Sequence, residues 1–457
     1  MQAETEGVEL GDARLRRRLQ LILQRFSAQP ERSVPLACPG GAEMHGAYRF
    51  FQHEAVYPAR VLSGHQAATR ARMAPLARVL CVGDSTFLNY PGQRSTTGLG
   101  PHSSDLEHGF LLHPLVAFSP QGVCLGTLHW QSWARDPALG LRQTRHLRPI
   151  EQKESRCWGE ELRALNVWRE VLPQTELLYV ADRESDIYEL LAQARAPGVD
   201  LLIRAVRDRK TTAGGKLWSE AANWPLTAAG RQSLAVAARP GRPARNAEVE
   251  LRWGEIELAP PKRSDRHLPP IRLRVVWVSE PSAPVGLEPL EWMLLTSLPV
   301  AEAAWQVVEY YRQRWQIERF FHVLKQGCQV EALQLQTRAR LEAAVAVYLI
   351  VAYRILQLQG RAKVEPNASA LTAFSPEECQ TLGQIHQPRL APEALDLREA
   401  TRRLARLGGY TARKSDGPPG PKTLWLGWQR LADFIAARRL FLSANPLGCK
   451  RPAEDPL

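Results

Sequence analysis

Long hydrophobic runs are scarce in this chain of 457 residues. The clearest, "AAVAVYLIVAY" at 343–353, covers only 11 residues, about half of the roughly 20 that a bilayer-crossing helix needs. It reads as a buried helix, and no membrane partner is expected. Cysteine is sparse and unpatterned: seven residues (38, 81, 124, 157, 328, 379, 449) are scattered, with no C-x-x-C pair among them. Neither a zinc site nor a disulfide frame is implied, and the usage suits a reducing, cytoplasmic compartment. The opening "MQAETEGVEL" is acidic and polar, unlike a secretion signal. Acidic residues are in deficit, with 47 Asp and Glu against 59 Lys and Arg, a formal charge of +12 and a pI near 9.6. That excess points to a polyanionic partner, nucleic acid first. No internal repeat or long low-complexity tract is evident.

An apolar fraction of 44% supports folded structure throughout, and the length suggests two to four domains. Residues 8–73 read as a helical module. Leu15, Leu19, Ile22, Leu23 and Phe26 recur at helical spacing, Arg14, Arg16, Arg17, Arg18 and Arg25 lie between them, and Asp12 can cap the start. "GAEMHGAYRFFQ" and "PARVLSGHQAATRARM" suggest two further short helices. From about residue 77 the pattern turns to strands: "RVLCVGD", then "FLLHPLVAFS" and "GVCLGTLHWQSW" around a turn at Pro120–Gly122. A helix near 151–172, the strand "ELLYVAD" and the helical "RESDIYELLAQAR" follow. This order predicts an α/β fold with a mixed sheet. Residues 205–297 read as a β-rich insertion, with Val249, Leu251 and Trp253 alternating and the basic, turn-rich "RPGRPARN" before them. One long helix is predicted over 301–327, a second apolar helix to about 358, and a helical C-terminal region whose residues 401–457 carry 11 basic and 4 acidic side chains.

Three carboxylates draw attention. Asp84 follows the apolar "VLCV" and Asp182 follows "LLYV", each at the end of a buried strand. Two strand-end aspartates can converge at one sheet edge, and a docked helix can bring Glu318 to them. Three such hard oxygen ligands suit one or two Mg²⁺ ions, which activate a nucleophile and stabilise the leaving oxygen in phosphoryl transfer. Equally, Asp84 can close a turn and Asp182 can cap the helix after it. On a continuous helix, Tyr311, Arg314, Glu318 and Lys325 stand at roughly 0°, 300°, 340° and 320°, while Ile317, Phe320, Val323 and Leu324 turn toward a core. That polar stripe reads either as a solvated face with an Arg314–Glu318 pair or as chemistry.

The spacing Y-x2-R-x3-E-x6-K, taken with "ADRESDI", resembles bacterial DDE transposases of the insertion-sequence-four family, above all its composite-transposon members. The likeness extends through "LGDARLRRRL", "GAYRFFQ", "LLIR", "RPARNA", "WMLLTS", "LARLGGY" and "LWLGW". It implies an N-terminal DNA-end-recognition domain (1–73), a ribonuclease-H-like catalytic domain (74–365) with a β-rich insertion (about 205–297), and a C-terminal helical dimerisation domain (366–457). It further implies that Asp84, Asp182 and Glu318 hold Mg²⁺, with Mn²⁺ able to substitute. Tyr311, Arg314, Lys325 and Arg204 match residues that hold DNA, Trp292 matches an aromatic that stacks at a flipped base, and Arg14, Arg17 and Arg18 fall in the end-binding module. The partners implied are double-stranded DNA, both terminal inverted repeats and target, and a second copy of the chain in a paired-end complex. One departure stands out: the family's basic residue before the Trp of its "KESxxW" segment is Cys157 here, with Arg156 beside it.

The activity implied is a cut-and-paste transposition by nicking, hairpin formation, hairpin resolution and strand transfer. A transposase-derived DNA-binding regulator and a metal-dependent nuclease without strand transfer are the competing readings. Leu424, Trp425, Trp428, Leu431, Phe434 and Ile435 form an apolar stripe near the C-terminus. It either packs on its own domain or forms a two-fold contact.

Overall fold

The computed structural model describes residues 2–444 apart from 94, 103–106, 137–152, 237–242, 263–266 and 414–415. Part of "RPGRPARN" and the tail after 444 lie outside the described residues. The chain divides into two compact units, 65–321 and 1–64 with 322–457. The units thus divide at other points than the linear boundaries at 73 and 365 expected from sequence.

The 65–321 unit is built on one eleven-stranded sheet. Its strands are β1 (Arg78–Gly83), β2 (Thr86–Asn89), β3 (Gly100–Pro101), β4 (His108–Phe118), β5 (Cys124–Trp133), β6 (Glu176–Ala181), β7 (Val199–Arg204), β8 (Leu226–Val236), β9 (Arg245–Leu258), β10 (Ile271–Ser279) and β11 (Glu291–Thr296). The order is β2-β4-β1-β6-β7-β11-β10-β9-β8, with β3 and β5 also paired to β4. β1, β6 and β7 are parallel neighbours, whereas β1–β4 and β4–β5 are antiparallel. This is the mixed sheet expected from sequence.

Central β1 and β6 are buried along nearly their whole length, as parallel strands covered on both faces must be. That is why "VLCV" and "LLYV" are unbroken apolar runs. β9 instead alternates buried and exposed positions, the pattern of a strand with one wet face. The β-rich segment is no separate layer, because β11 pairs antiparallel with β7 and so extends the same sheet. Helix Arg156–Val171 buries Cys157, Trp158, Glu161, Leu162 and Leu165, of which the four apolar side chains join the sheet's core.

The helix predicted over 301–327 is broken. It runs as Ala304–Arg312 and Trp315–His322, then a π turn Val323–Gly327. At the first break the bonds tighten to Gln316 N–H on Gln313 O (2.9 Å) and Ile317 N–H on Arg314 O (3.2 Å). The apolar periodicity is the same on both sides, so sequence alone reads one helix. The side chains of Gln313 and Gln316 lie over Gly122 of the β4–β5 turn, where φ is +85° and a Cβ would stand 2.4 Å from the Gln313 amide oxygen. The positive φ is what calls for glycine there, since the amide ends above it are free to shift.

The other unit is helical. Asp12 caps helix Ala13–Ala28 by accepting from Arg14 N–H at 2.7 Å, and Leu19, Ile22, Leu23 and Phe26 are buried as their spacing predicts. Phe26 stacks on Tyr348 with ring centroids 4.7 Å apart. Tyr348 belongs to Arg338–Val364, a helix long and apolar enough to cross a membrane, yet 83% of its most apolar window is buried in the protein. It is the core helix of this unit.

Of the two readings of the C-terminal stripe, most of its side chains follow the first, packing on their own unit. In helix Pro421–Ala444, Leu424, Trp425, Trp428 and Leu431 are buried within the unit. Trp425 covers Gly327, and Trp428 packs on Phe374 and under Arg354. These four side chains are core and are not available to a second copy. Phe434 and Phe441, further along the helix, are 47% and 76% exposed.

Candidate active site

Val82 of β1 pairs with Val180 of β6. Asp84 and Asp182 each stand two residues beyond that pair, so the register of adjacent parallel strands brings both carboxylates to one sheet edge at the same level. Each also does the local work its position allows. Asp84 Oδ1 accepts from Ser85 N–H (2.8 Å), and Asp182 Oδ1 accepts from Glu184 N–H (2.8 Å) as the cap of the turn Arg183–Ser185. Burial pushes the Asp84 carboxyl up to about 7, with the Asp182 charge acting in the same direction and Arg314 opposing it. Burial and a like charge nearby both disfavour the ionised form of a carboxyl.

Arg314, at the helix break, reaches both sides of that edge. Its Nη1 lies 3.2 Å from Asp84 Oδ2, and its Nη2 donates to Glu318 Oε1. The pair read as a surface i,i+4 bridge is therefore one arm of a bridge that ties Glu318 to Asp84. Tyr311 is 5% exposed, not on a solvated stripe. Its ring meets Trp292 edge-on, centroids 5.3 Å apart. Burial raises the Tyr311 hydroxyl to about 12, against the pull of Arg314 and Arg204. Arg204, the last residue of β7, donates to Glu291 O at 3.0 Å. Trp292 is half-buried on β11.

Lys325 is placed differently from its helical-wheel position. It sits on the π turn, in the helical unit, with Nζ 3.5 Å from Glu331 Oε1. Arg14 and Arg17 are exposed on helix Ala13–Ala28, while Arg18 is half-buried and lies over Gly46. Cys157 is buried. Arg156, beside it, points outward and lies 3.8 Å from Glu160.

Among the described residues, no three His, Cys, Asp or Glu side chains stand close enough together to hold one metal ion. In kind, the carboxylate oxygens of Asp84, Asp182 and Glu318 are hard donors suited to a divalent cation, and Arg314 pairs with two of the three, Asp84 and Glu318.

Sequence reasoning missed the side chains behind Asp84. His113 of β4, Glu161 of helix Arg156–Val171 and Tyr179 of β6 are fully buried together. Burial opposes a charge on the His113 ring, yet the Glu161 charge beside it raises His113 to about 10. The signal was present. A histidine interrupts the apolar "FLLHPLVAF", and a glutamate takes a core position between Trp158 and Leu165.

Comparison with known families gives three matches. Residues 1–56 match the transposase DNA-binding family, 153–354 the transposase DDE domain and 350–446 the transposase Tn5 dimerisation domain. The DDE match contains Asp182 and Glu318, while Asp84 precedes it. Together the three support a DDE transposase of the Tn5 type, with DNA-binding, catalytic and dimerisation domains in that order. The chain is an enzyme that acts on DNA by phosphoryl transfer, of a class that generally depends on a divalent metal.

Proposed function

We propose that this chain is a cut-and-paste transposase of the bacterial insertion-sequence-four family, working on cytoplasmic DNA, with Asp84, Asp182 and Glu318 as its Mg²⁺-holding carboxylates. The observation that carries the reading is the register of β1 and β6, which sets Asp84 beside Asp182, together with the Arg314 bridge from Asp84 to Glu318. The strand order β5-β4-β1-β6-β7, antiparallel in its first half and parallel in its second, supports a ribonuclease-H-like core. Asp84, Asp182 and Glu318 would hold Mg²⁺ there, which would supply activation of an attacking oxygen and charge stabilisation of a leaving one.

The chain's own groups serve the DNA. Arg314 gives up one carboxylate and turns to a phosphate, a charge-assisted contact of the same kind. Arg204 and Lys325 bind backbone phosphates, Tyr311 donates to one, and Trp292 offers a π face to an unstacked base. Arg14, Arg17 and Arg18 contact the terminal repeats. Because nicking, hairpin formation, its resolution and strand transfer are all in-line attacks on phosphodiesters, one site serves all four. Domains at 1–73, 74–365 and 366–457 divide recognition, chemistry and pairing, and the exposed Phe434 and Phe441 supply apolar surface for a second copy.

The test is to incubate the full chain with Mg²⁺ and paired DNA ends taken from the inverted repeats flanking its gene. Nicked, hairpin and joined products in succession are expected. Nicked products alone would mean a nuclease, and binding without cleavage would mean a regulator.

A further inference from the structure

Both chain neighbours of Asp84 are held by one sealed pair. Glu161 and His113 have no exposed side-chain surface, and His113 Nε2 lies 3.2 Å from Glu161 Oε2. The same Oε2 accepts a hydrogen bond from the Tyr179 hydroxyl at 2.7 Å. It also presses on Gly83 so closely that a Cβ there would stand 2.0 Å away. On the other side of the imidazole, Nδ1 lies 2.7 Å from the Ser85 hydroxyl. Trp158 closes the ring's face edge-on, with centroids 4.5 Å apart.

Stability does not explain such a pair, since apolar side chains of equal volume commonly serve as well or better. What it contacts does. Gly83, paired with Leu115, is the last residue of β1, and Asp84 and Ser85 follow it where the ladder no longer fixes the backbone. Ser85 in turn passes its restraint to the carboxylate through the N–H it gives Asp84 Oδ1.

We propose that His113 and Glu161 are positioning residues, which set the Asp84 carboxylate for a divalent cation by gripping Gly83 on one side and Ser85 on the other. This rests on Asp84 being one of the cation-holding carboxylates. Outer partners of this kind ordinarily change metal affinity or activity by roughly 10–100-fold, while a purely structural pair would leave the metal dependence of the folded enzyme unchanged.

The experiment uses the full chain with its terminal-repeat DNA and compares wild type with Ser85→Ala, Glu161→Gln and Asp84→Ala. Bound Mn²⁺ is read by electron paramagnetic resonance, end cleavage is followed against Mn²⁺ concentration, and end binding is followed by gel shift. Ser85→Ala and Glu161→Gln should bind ends as wild type does. The Mn²⁺ needed for half occupancy and for half-maximal cleavage should rise roughly tenfold in both. Ser85→Ala removes one half-buried hydroxyl and keeps the test alive if Glu161→Gln does not fold. Wild-type Mn²⁺ dependence in Ser85→Ala overturns the positioning role. Wild-type cleavage by Asp84→Ala overturns instead the assignment of Asp84, on which the role depends.

Discussion

Asp84 stands between two ion clusters of opposite character. On its outer side Arg314 joins it to Glu318, with side chains 15–35% exposed. On its inner side His113 and Glu161 meet with no exposure at all. Water screens the outer cluster, so each link is worth about 1 kcal/mol or less and can be exchanged. Separating the inner pair leaves a dry charge and costs about 3–5 kcal/mol. The fold puts exchangeable charge where a cation and a phosphate are proposed to enter, and fixed charge where the carboxylate must not move. The helical unit repeats the contrast without charge: Trp425 and Trp428 are sealed, while Phe434 and Phe441 are open.

Six substitutions press on this contrast. The largest effect is expected from Asp182→Ala or Glu318→Ala, either of which should abolish end cleavage while gel shifts stay near wild type, because binding comes mainly from phosphate contacts elsewhere. His113→Leu should lower unfolding stability by about 3–5 kcal/mol in a denaturant titration, whereas a loss under about 1 kcal/mol would erase the difference between the clusters. The sign with pH also follows. His113 is raised to about 10 in the fold, so its contribution is full below its ordinary value near 6.5 and fades as pH rises through 10. A pH series of denaturation midpoints should show that decline in wild type and lose it in His113→Leu. Arg314→Ala should change stability by no more than about 1 kcal/mol yet slow end cleavage, which sharpens the distinction. Phe441→Asp should stay within about 0.5 kcal/mol of wild type and weaken self-association in light scattering, whereas Trp425→Asp should damage the fold itself.

The parts legible in sequence were those where a local pattern and its tertiary use agree. Continuous apolar runs before Asp84 and Asp182 announced central strands, and in-register pairing made both residues edge groups. Helical spacing found the Leu19–Phe26 face. The sequence did not show the break at Gln313–Arg314, because no proline or glycine marks it and the apolar period continues across it. It also turned Tyr311 away from the core, whereas Tyr311 is buried and meets Trp292, distant in sequence. The burial of Trp425 depended likewise on Gly327 leaving room, a complementarity that no single helix reveals. His113 and Glu161 appear on apolar faces as isolated polar residues, and only the fold shows that they meet.

The most direct test of the central claim uses the isosteric variants Asp84→Asn, Asp182→Asn and Glu318→Gln, assayed for cleavage of paired terminal-repeat DNA in Mg²⁺ with end binding measured in parallel. The account predicts that all three bind ends as wild type does and that none yields nicked, hairpin or joined product. Wild-type product from any one of them would contradict it by removing that carboxylate from the site.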